Sequence, residues 1–374
     1  ADANATFPEL RMFWSTRNVP CDPAANNFCD GSGAALTRGE IGTTFFTPGS
    51  PDRIFVLGSA GTDTDEFDAA VIAHEWGHYY QDNFSRDDSL GGPHTTTERL
   101  DLRVAFSEGW GNAFSGMARG DPVYRDSFGT NQASGFGINV ENSASLSNAG
   151  WFNEGSIQSI FWDLFDSTPD GVDNVALGFG PIHTVMTGRV RTTSAFTSVY
   201  PLLVGLRAAR PAVAAAIDAL VVGGSGQLIV AGADDFGSGE TNSGLDARNL
   251  PIYRSIVAGQ TLEVCSSLPT ASGVYNKLGN RRLLRIDLAS AGTATLTANL
   301  GTNTGTSPSD PDLVLYSAGA ERTRAEGTAN GAETLTQAGL AAGTYILEVY
   351  EFSNVDPSAT ARGNTCFNVQ LTVS

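Results

Sequence analysis

His74, Glu75 and His78 are the residues whose type and spacing speak most directly of chemistry; in the run Val71–Tyr80 they read H-E-x-x-H. Side chains four residues apart on an α-helix share one face, so both imidazoles can reach a single ion. Glu75, beside them, can take the proton of a zinc-bound water. The run predicts an amphipathic helix, because Phe67, Val71, His74 and His78 follow one another at i, i+4, i+3 and i+4. The acidic lead-in Thr62–Asp68 offers N-cap candidates and suits the positive end of that helix. A catalytic zinc takes three protein ligands and keeps one position open. Two neutral imidazoles and one carboxylate leave it a net positive charge, which lowers the pKa of a bound water. A third ligand must therefore come from elsewhere in the chain.

Glu108 is the best candidate. Thr95 and Glu98 read as a capping box opening a second helix of about two dozen residues. On it Leu100, Val104, Glu108 and Gly111 fall on one face, so Glu108 is a carboxylate in apolar company and needs a partner. Glu98 is the rival, but the capping box already gives it a task. His94, just ahead of that box, reads as a surface or loop residue, with no spacing that favours it as a ligand.

Composition narrows the class. The chain has 374 residues, enough for two domains, and 41% of them are hydrophobic, enough for real cores. Lys and Arg number 22 against 40 Asp and Glu, a net charge of −18 that argues against nucleic acid or an anionic membrane as a partner. No apolar run reaches transmembrane length. The four cysteines form two local pairs, so the expected disulfides are Cys21–Cys29 and Cys265–Cys366, although four cysteines allow three connectivities. Such bridges imply an oxidising compartment, hence a secreted, extracellular protein. The chain starts at Ala1 and reads as a processed form, with a signal peptide and an inhibitory propeptide expected upstream. A monomer is expected.

Along the chain, residues 1–50 read as polar loops with short strands at Leu10–Trp14 and Thr43–Phe46. Arg53–Gly58 is a strand directly before the metal helix, either a core strand or a cleft-edge strand able to bind an extended peptide. Residues 120–150 read as loop. Helices are expected at Gly155–Asp166, Thr193–Leu206 and Pro211–Val222, with Pro211 at a first helical position and a turn at Pro169–Gly171. Beyond the acidic loop Asp234–Asp246 the pattern changes. Leu283–Leu288, Ala294–Leu300, Leu313–Tyr316 and Tyr345–Tyr350 are short strands separated by turns, the pattern of a β-sandwich. The expected fold class is α+β: a mainly helical catalytic domain with a short N-terminal β region over 1–255, then a small all-β sandwich over 256–374.

H-E-x-x-H followed by the helical Glu108-Gly109-Trp110 resembles the gluzincin zinc metallopeptidases, most of all the fungalysin group and more distantly thermolysin. The likeness lies mainly in residues 53–118. It implies Glu108 as third zinc ligand, Glu75 as general base and endopeptidase activity on protein or peptide substrates. Three features depart from it. Asn112 stands where the family commonly has an aspartate that orients a ligand histidine; an amide can still accept from imidazole. Gly77 replaces a larger residue, and fewer residues precede His74 than in the usual N-terminal lobe. The family also stabilises its oxyanion with a histidine or tyrosine, and His183 lies at a comparable distance beyond the glutamate. Tyr79 and Tyr80 read as packing residues, and Arg189 and Arg191 as surface.

The C-terminal segment is similar to bacterial pre-peptidase C-terminal domains through Asp310–Tyr316 and Ala342–Val349. Asp310 and Asp312 are candidate calcium ligands there, and the Asp234, Asp235 and Glu240 loop is a second candidate. Two other functions compete: a zinc amidase or aminopeptidase with the same triad, and a non-catalytic, metal-stabilised adhesion or glycan-binding protein. Glu75 discriminates, because a structural zinc has no use for a base beside its ligand.

Overall fold

The computed structural model describes residues 6–20, 38–141, 148–168, 173–222, 228–267, 275–300, 309–327, 331–356 and 358–374. The first sheet contains β1 (Leu10–Trp14), β2 (Phe45–Thr47) and β3 (Asp52–Val56) in the order β1-β3-β2. β3 runs parallel to β1 and antiparallel to β2, so the strand expected at Arg53–Gly58 is the central one. Its alternation explains this: Ile54 and Val56 are buried on one face, while Phe55 stacks between Phe13 and Phe45 on the other. The free edge beside the following helix belongs to β2.

That helix is α1 (Ala69–Phe84). Asp68 occupies its N-cap position without capping it; the carboxylate accepts instead from the backbone N–H and hydroxyl of Ser127. Phe67 lies in a preceding 3-10 turn and is 70% exposed, so the buried stripe begins at Val71.

The second helix, α2 (Leu102–Arg119), has 18 residues and starts later than the capping box predicts. Residues 99–101 are drawn out instead against 276–278: Asp101 N donates to Asn276 O and Leu278 N to Arg99 O. Asp101 supplies the cap, accepting from Arg103 N. Glu98 pairs with Lys277 Nζ at 2.9 Å, which removes it as a rival ligand.

Residues 123–139, expected as loop, form a hairpin of β4 (Val123–Phe128) and β5 (Ser134–Asn139). α3 (Glu154–Phe165) follows, capped by Asn153. α4 (Phe179–Val185) runs on into a π turn at Met186–Val190. α5 (Val199–Ala209) begins six residues later than expected, because the Arg86 guanidinium takes the carbonyls of Arg191, Thr193 and Ala195. α6 (Ala214–Val222) is led in by Pro211 at the start of a 3-10 turn. The turn expected at Pro169–Gly171 lies outside the described residues.

Glycines set the helix spacing. A Cβ on Gly77 would sit 3.3 Å from Gly111 Cα and from Phe114 Cβ, and one on Gly109 would sit 2.6 Å from Ile157 Cβ. α2 is therefore sandwiched closely between α1 and α3, and Trp110 Nε1 donates to Gly77 O at 2.9 Å across the first contact.

The remaining strands are β6 (Tyr253–Ser255), β7 (Thr261–Ser266), β8 (Arg281–Leu288), β9 (Gly292–Leu300), β10 (Pro311–Ser317), β11 (Ala320–Ala325), β12 (Ala332–Leu340), β13 (Gly343–Glu351) and β14 (Thr365–Val373). They make sheets β11-β10-β13-β8-β6 and β12-β9-β14-β7. Leu284, Ile286, Leu313, Leu347 and Val349 from one meet Val264, Leu296, Phe367 and Val369 from the other in a core of their own. Cys265 and Cys366 are bonded across β7 and β14. The expected Cys21–Cys29 pair lies outside the described residues.

The expectation of a mainly helical catalytic domain needs correction. Helix and strand occupy nearly equal shares of the described chain, and sheets lie on both sides of residue 255. The reason is visible in β4, β5 and β12, whose half-exposed polar faces leave little of the apolar alternation that betrays a strand.

Candidate metal centre

α1 and α2 cross so that His74 and His78, one turn apart, face Glu108. His74 Nε2 lies 2.9 Å from His78 Nε2, and Glu108 Oε2 lies 3.2 and 3.4 Å from the two nitrogens. All three side chains are nearly buried. Donors of a tetrahedral zinc stand roughly 3.3 Å apart, as follows from bonds near 2.0–2.1 Å. Two ring nitrogens turned toward each other can share only one proton, whereas one cation satisfies both along with the carboxylate. The donor set of two imidazoles and one carboxylate fits zinc.

Behind the donors stands a second layer of partners. Asn112 Nδ2 donates to Glu154 Oε1 at 2.7 Å and Gln158 Oε1 at 2.9 Å, which turns its Oδ1 toward His74 Nδ1, also 2.9 Å away. His74 Nδ1–H therefore donates to Asn112, and Nε2 is left facing the centre. The family's usual aspartate could not donate to Glu154 and Gln158 in this way. Ser107 Oγ lies 3.2 Å from His78 Nδ1 and 3.2 Å from Asp87 Oδ2, giving the second ring a similar support. Burial pushes the Asp87 carboxyl up to about 6. Gly111 floors the site: a Cβ there would lie 2.7–2.9 Å from the His74 ring.

Glu75 is 7% exposed, and its Oε2 accepts from Phe46 N at 2.8 Å, on the side of β2 turned away from β3. Burial raises its pKa, against the lowering influence of His74 and His78. Burial would lower His78, but the adjoining Glu108 carries it up to about 10; Glu108 itself is held well below its ordinary value by His78 and His94 against the opposing effect of burial.

His94 lies on a loop and is part-exposed, as the sequence suggests, but its side chain turns in to the cluster. Its Nε2 reaches Glu108 Oε2 at 3.2 Å and its Nδ1 reaches Glu154 Oε2 at 2.8 Å. Asn276 Nδ2 donates to Gly91 O and Pro93 O, and Lys277 Nζ to Pro93 O, so a distant segment holds the loop that delivers it. No local spacing could have signalled this. Tyr124 of β4 was missed as well; its ring centre is 6.0 Å from that of His74.

His183 is not brought to the centre. Its Nδ1 lies 2.6 Å from Tyr80 OH, and its ring packs on Phe179. Tyr80 projects about 140° around α1 from the face that carries His74 and His78, so the expected oxyanion role has no geometry behind it.

Asp310 and Asp312 do not join a three-donor group among the described residues. Asp312 is 2% exposed, and burial, with Asp310, Glu326, Glu333 and Glu351 nearby, raises its carboxyl to about 8. In the other calcium candidate, Glu240 accepts from Tyr200 OH, Val230 N, Thr241 N and Asn242 N, and Asp235 pairs with Arg189. Those carboxylates hold their loop together.

Residues 21–198 match the family described as the Mycolysin C-terminal domain, a little under half of the chain, and the matched span contains Glu75, His74, His78, His94 and Glu108. The match supports a peptidase-associated protein. None of the curated proteins compared matches the chain. Similar solved structures include the pre-peptidase C-terminal domain of collagenase from Bacillus anthracis, at 15% identity and TM-score 0.23, covering 32% of this chain and 94% of that one. A periplasmic inhibitor of g-type lysozyme from Aeromonas hydrophila has 16% identity and TM-score 0.19, covering 33% and 97%. A family 35 carbohydrate-binding module from an environmental isolate has 19% identity and TM-score 0.20, covering 31% and 75%. No helix among the described residues is long and apolar enough to cross a membrane.

Proposed function

We propose that the chain is a secreted zinc endopeptidase of the gluzincin kind, with His74, His78 and Glu108 as zinc ligands and Glu75 as general base. The observation that carries the reading is the convergence of three buried donor atoms within 3.4 Å of one another, with a buried carboxylate next in sequence to the first of them. Zinc, when bound, would polarise the scissile carbonyl and the attacking water. Glu75 would take the proton of that water and return it to the leaving amine. Asn112 and Ser107 would hold the two rings in the tautomer that leaves Nε2 free. β2 supplies the free strand edge beside Glu75, so an extended peptide added there would pass the carboxylate.

The Cys265–Cys366 bond favours an oxidising, extracellular bacterial setting. Protein or peptide substrates, a monomeric state and a division into 1–255 and 256–374 belong to the same proposal, the last supported by the sandwich's own buried cluster, while Leu278, Leu283 and Ile346 pack with the first part.

The comparisons reach no further than a peptidase-associated protein, and a metal-stabilised binding protein shares that ground. Incubating the zinc-loaded chain with a peptide library, with and without a chelator, separates the two. Chelator-sensitive cleavage supports the peptidase; zinc retained without any cleavage supports the binder.

A further inference from the structure

A second convergence of donor atoms lies just ahead of α1. Asp63 and Asp65 come from the turn that leads into the helix, Asp126 comes from β4, and an oxygen from each lies within 4.8 Å of the others. The backbone fixes the approach: Asp63 bridges to Phe128, Gly129 N donates to Thr62 O at 2.7 Å, and Ser127 N donates to Asp68 Oδ2 at 3.0 Å.

Acidic side chains gather on many surfaces without consequence. Here Asp63 and Asp65 each carry a buried oxygen without a partner. Asp65 is 2% exposed; its Oδ2 accepts from Thr44 Oγ1 at 2.5 Å, while its Oδ1 has no hydrogen-bond partner. Asp63 Oδ1 is buried without a partner too. Among the described residues no Lys, Arg or His forms an ion pair with any of the three. Burial and mutual repulsion push Asp63 up to about 7 and Asp126 up to about 6, the consequence of crowding carboxylates with no cationic side chain beside them. A donor set made wholly of oxygens selects a hard cation over zinc, and several carboxylates favour calcium.

We propose that Asp63, Asp65 and Asp126 form a calcium site that fastens the β4–β5 hairpin to the start of α1. The ion would neutralise the orphaned oxygens and hold two segments whose remaining ties are a few hydrogen bonds. Because β4 also carries Tyr124, the site would fix the wall opposite His74.

The test uses the full zinc-loaded chain in calcium-free buffer at pH 8, with thermal melting followed as CaCl2 is added. The expected result is a saturable rise of roughly 5 °C at about a hundred times the dissociation constant, with magnesium far weaker. Asp126→Asn should abolish the rise and Asp312→Asn should leave it intact. Terbium luminescence excited through tyrosine should appear in the parent, be displaced by calcium, and vanish in Asp126→Asn. Asp63→Asn gives the same reading should Asp126→Asn not fold. A calcium response lost in Asp312→Asn and kept in Asp126→Asn would overturn the proposal. So would no calcium response together with stabilisation on lowering the pH from 8 to 5.5 that Asp126→Asn removes, since a shared proton would then be the neutralising partner.

Discussion

The histidine cluster and the aspartate cluster flank the start of α1 and solve the same electrostatic problem differently. In the first, every donor rides on a helix and is backed by a partner: Asn112 behind His74, Ser107 behind His78, His94 beside Glu108. In the second, donors come from a turn and an edge hairpin, and two carboxylate oxygens have no partner. Helix packing shapes the first site before an ion arrives. The geometry of the second depends on whatever neutralises it. Removing the cation should therefore cost the first cluster its chemistry with little loss of order, and cost the second its order.

The comparison breaks most plainly at Glu108. Glu108→Ala removes one of three ligands and should weaken zinc retention by at least ~100-fold, whereas Glu98→Ala, paired with Lys277, should change it by less than about 2-fold. Dialysis followed by metal analysis reads both, and the reverse ranking would move the site.

Gly111→Ala is next. The new methyl would press on the His74 ring at 2.7–2.9 Å, so zinc affinity should fall about 10- to 100-fold while the chain stays folded. Unchanged affinity would show that α2 can retreat, and that helix packing does not shape the site.

Much of this was legible in the sequence. His74, His78 and Glu108, which the structure brings together, could be singled out because H-E-x-x-H spacing is local to one helix and Glu108 is a lone carboxylate on an apolar helix face. Strands with apolar alternation, such as Arg281–Leu288 and Gly343–Glu351, were visible for the same reason. The sequence hid what depends on distant partners. The capping box at Thr95 looks complete, yet residues 99–101 pair with 276–278 and the helix waits until Leu102. His94 reaches Glu108 only because Asn276 and Lys277 hold its loop. Gly77 and Asn112, departures from the family's pattern, have a physical reason in the structure: close helix crossing and the need for an amide that donates as well as accepts.

Asn112→Asp tests that last reason. It introduces the aspartate common in the gluzincins that the motif resembles but sets a third acceptor against Glu154 and Gln158. It should lower zinc affinity about 10-fold, close to the effect of Asn112→Ala. Affinity at or above the parent's would show that the two donated bonds are dispensable.

The smallest effect concerns pH in the sandwich. The Asp312 carboxyl, ordinarily near 3.8, is raised to about 8 in the folded chain, so it favours folding while protonated in both states and loses that contribution as pH rises from about 4 through about 8. In calcium-free buffer, Asp312→Asn should raise the melting temperature at pH 9 and leave it nearly unchanged at pH 4. Equal shifts at both values would refute the assignment.

The central claim is that Glu75 works as a base beside a zinc held by His74, His78 and Glu108. Glu75→Gln tests it directly, with zinc content and casein hydrolysis measured on the same sample. The expected result is one zinc per chain as in the parent, with hydrolysis reduced at least ~100-fold. Zinc content and hydrolysis both equal to the parent's would contradict it.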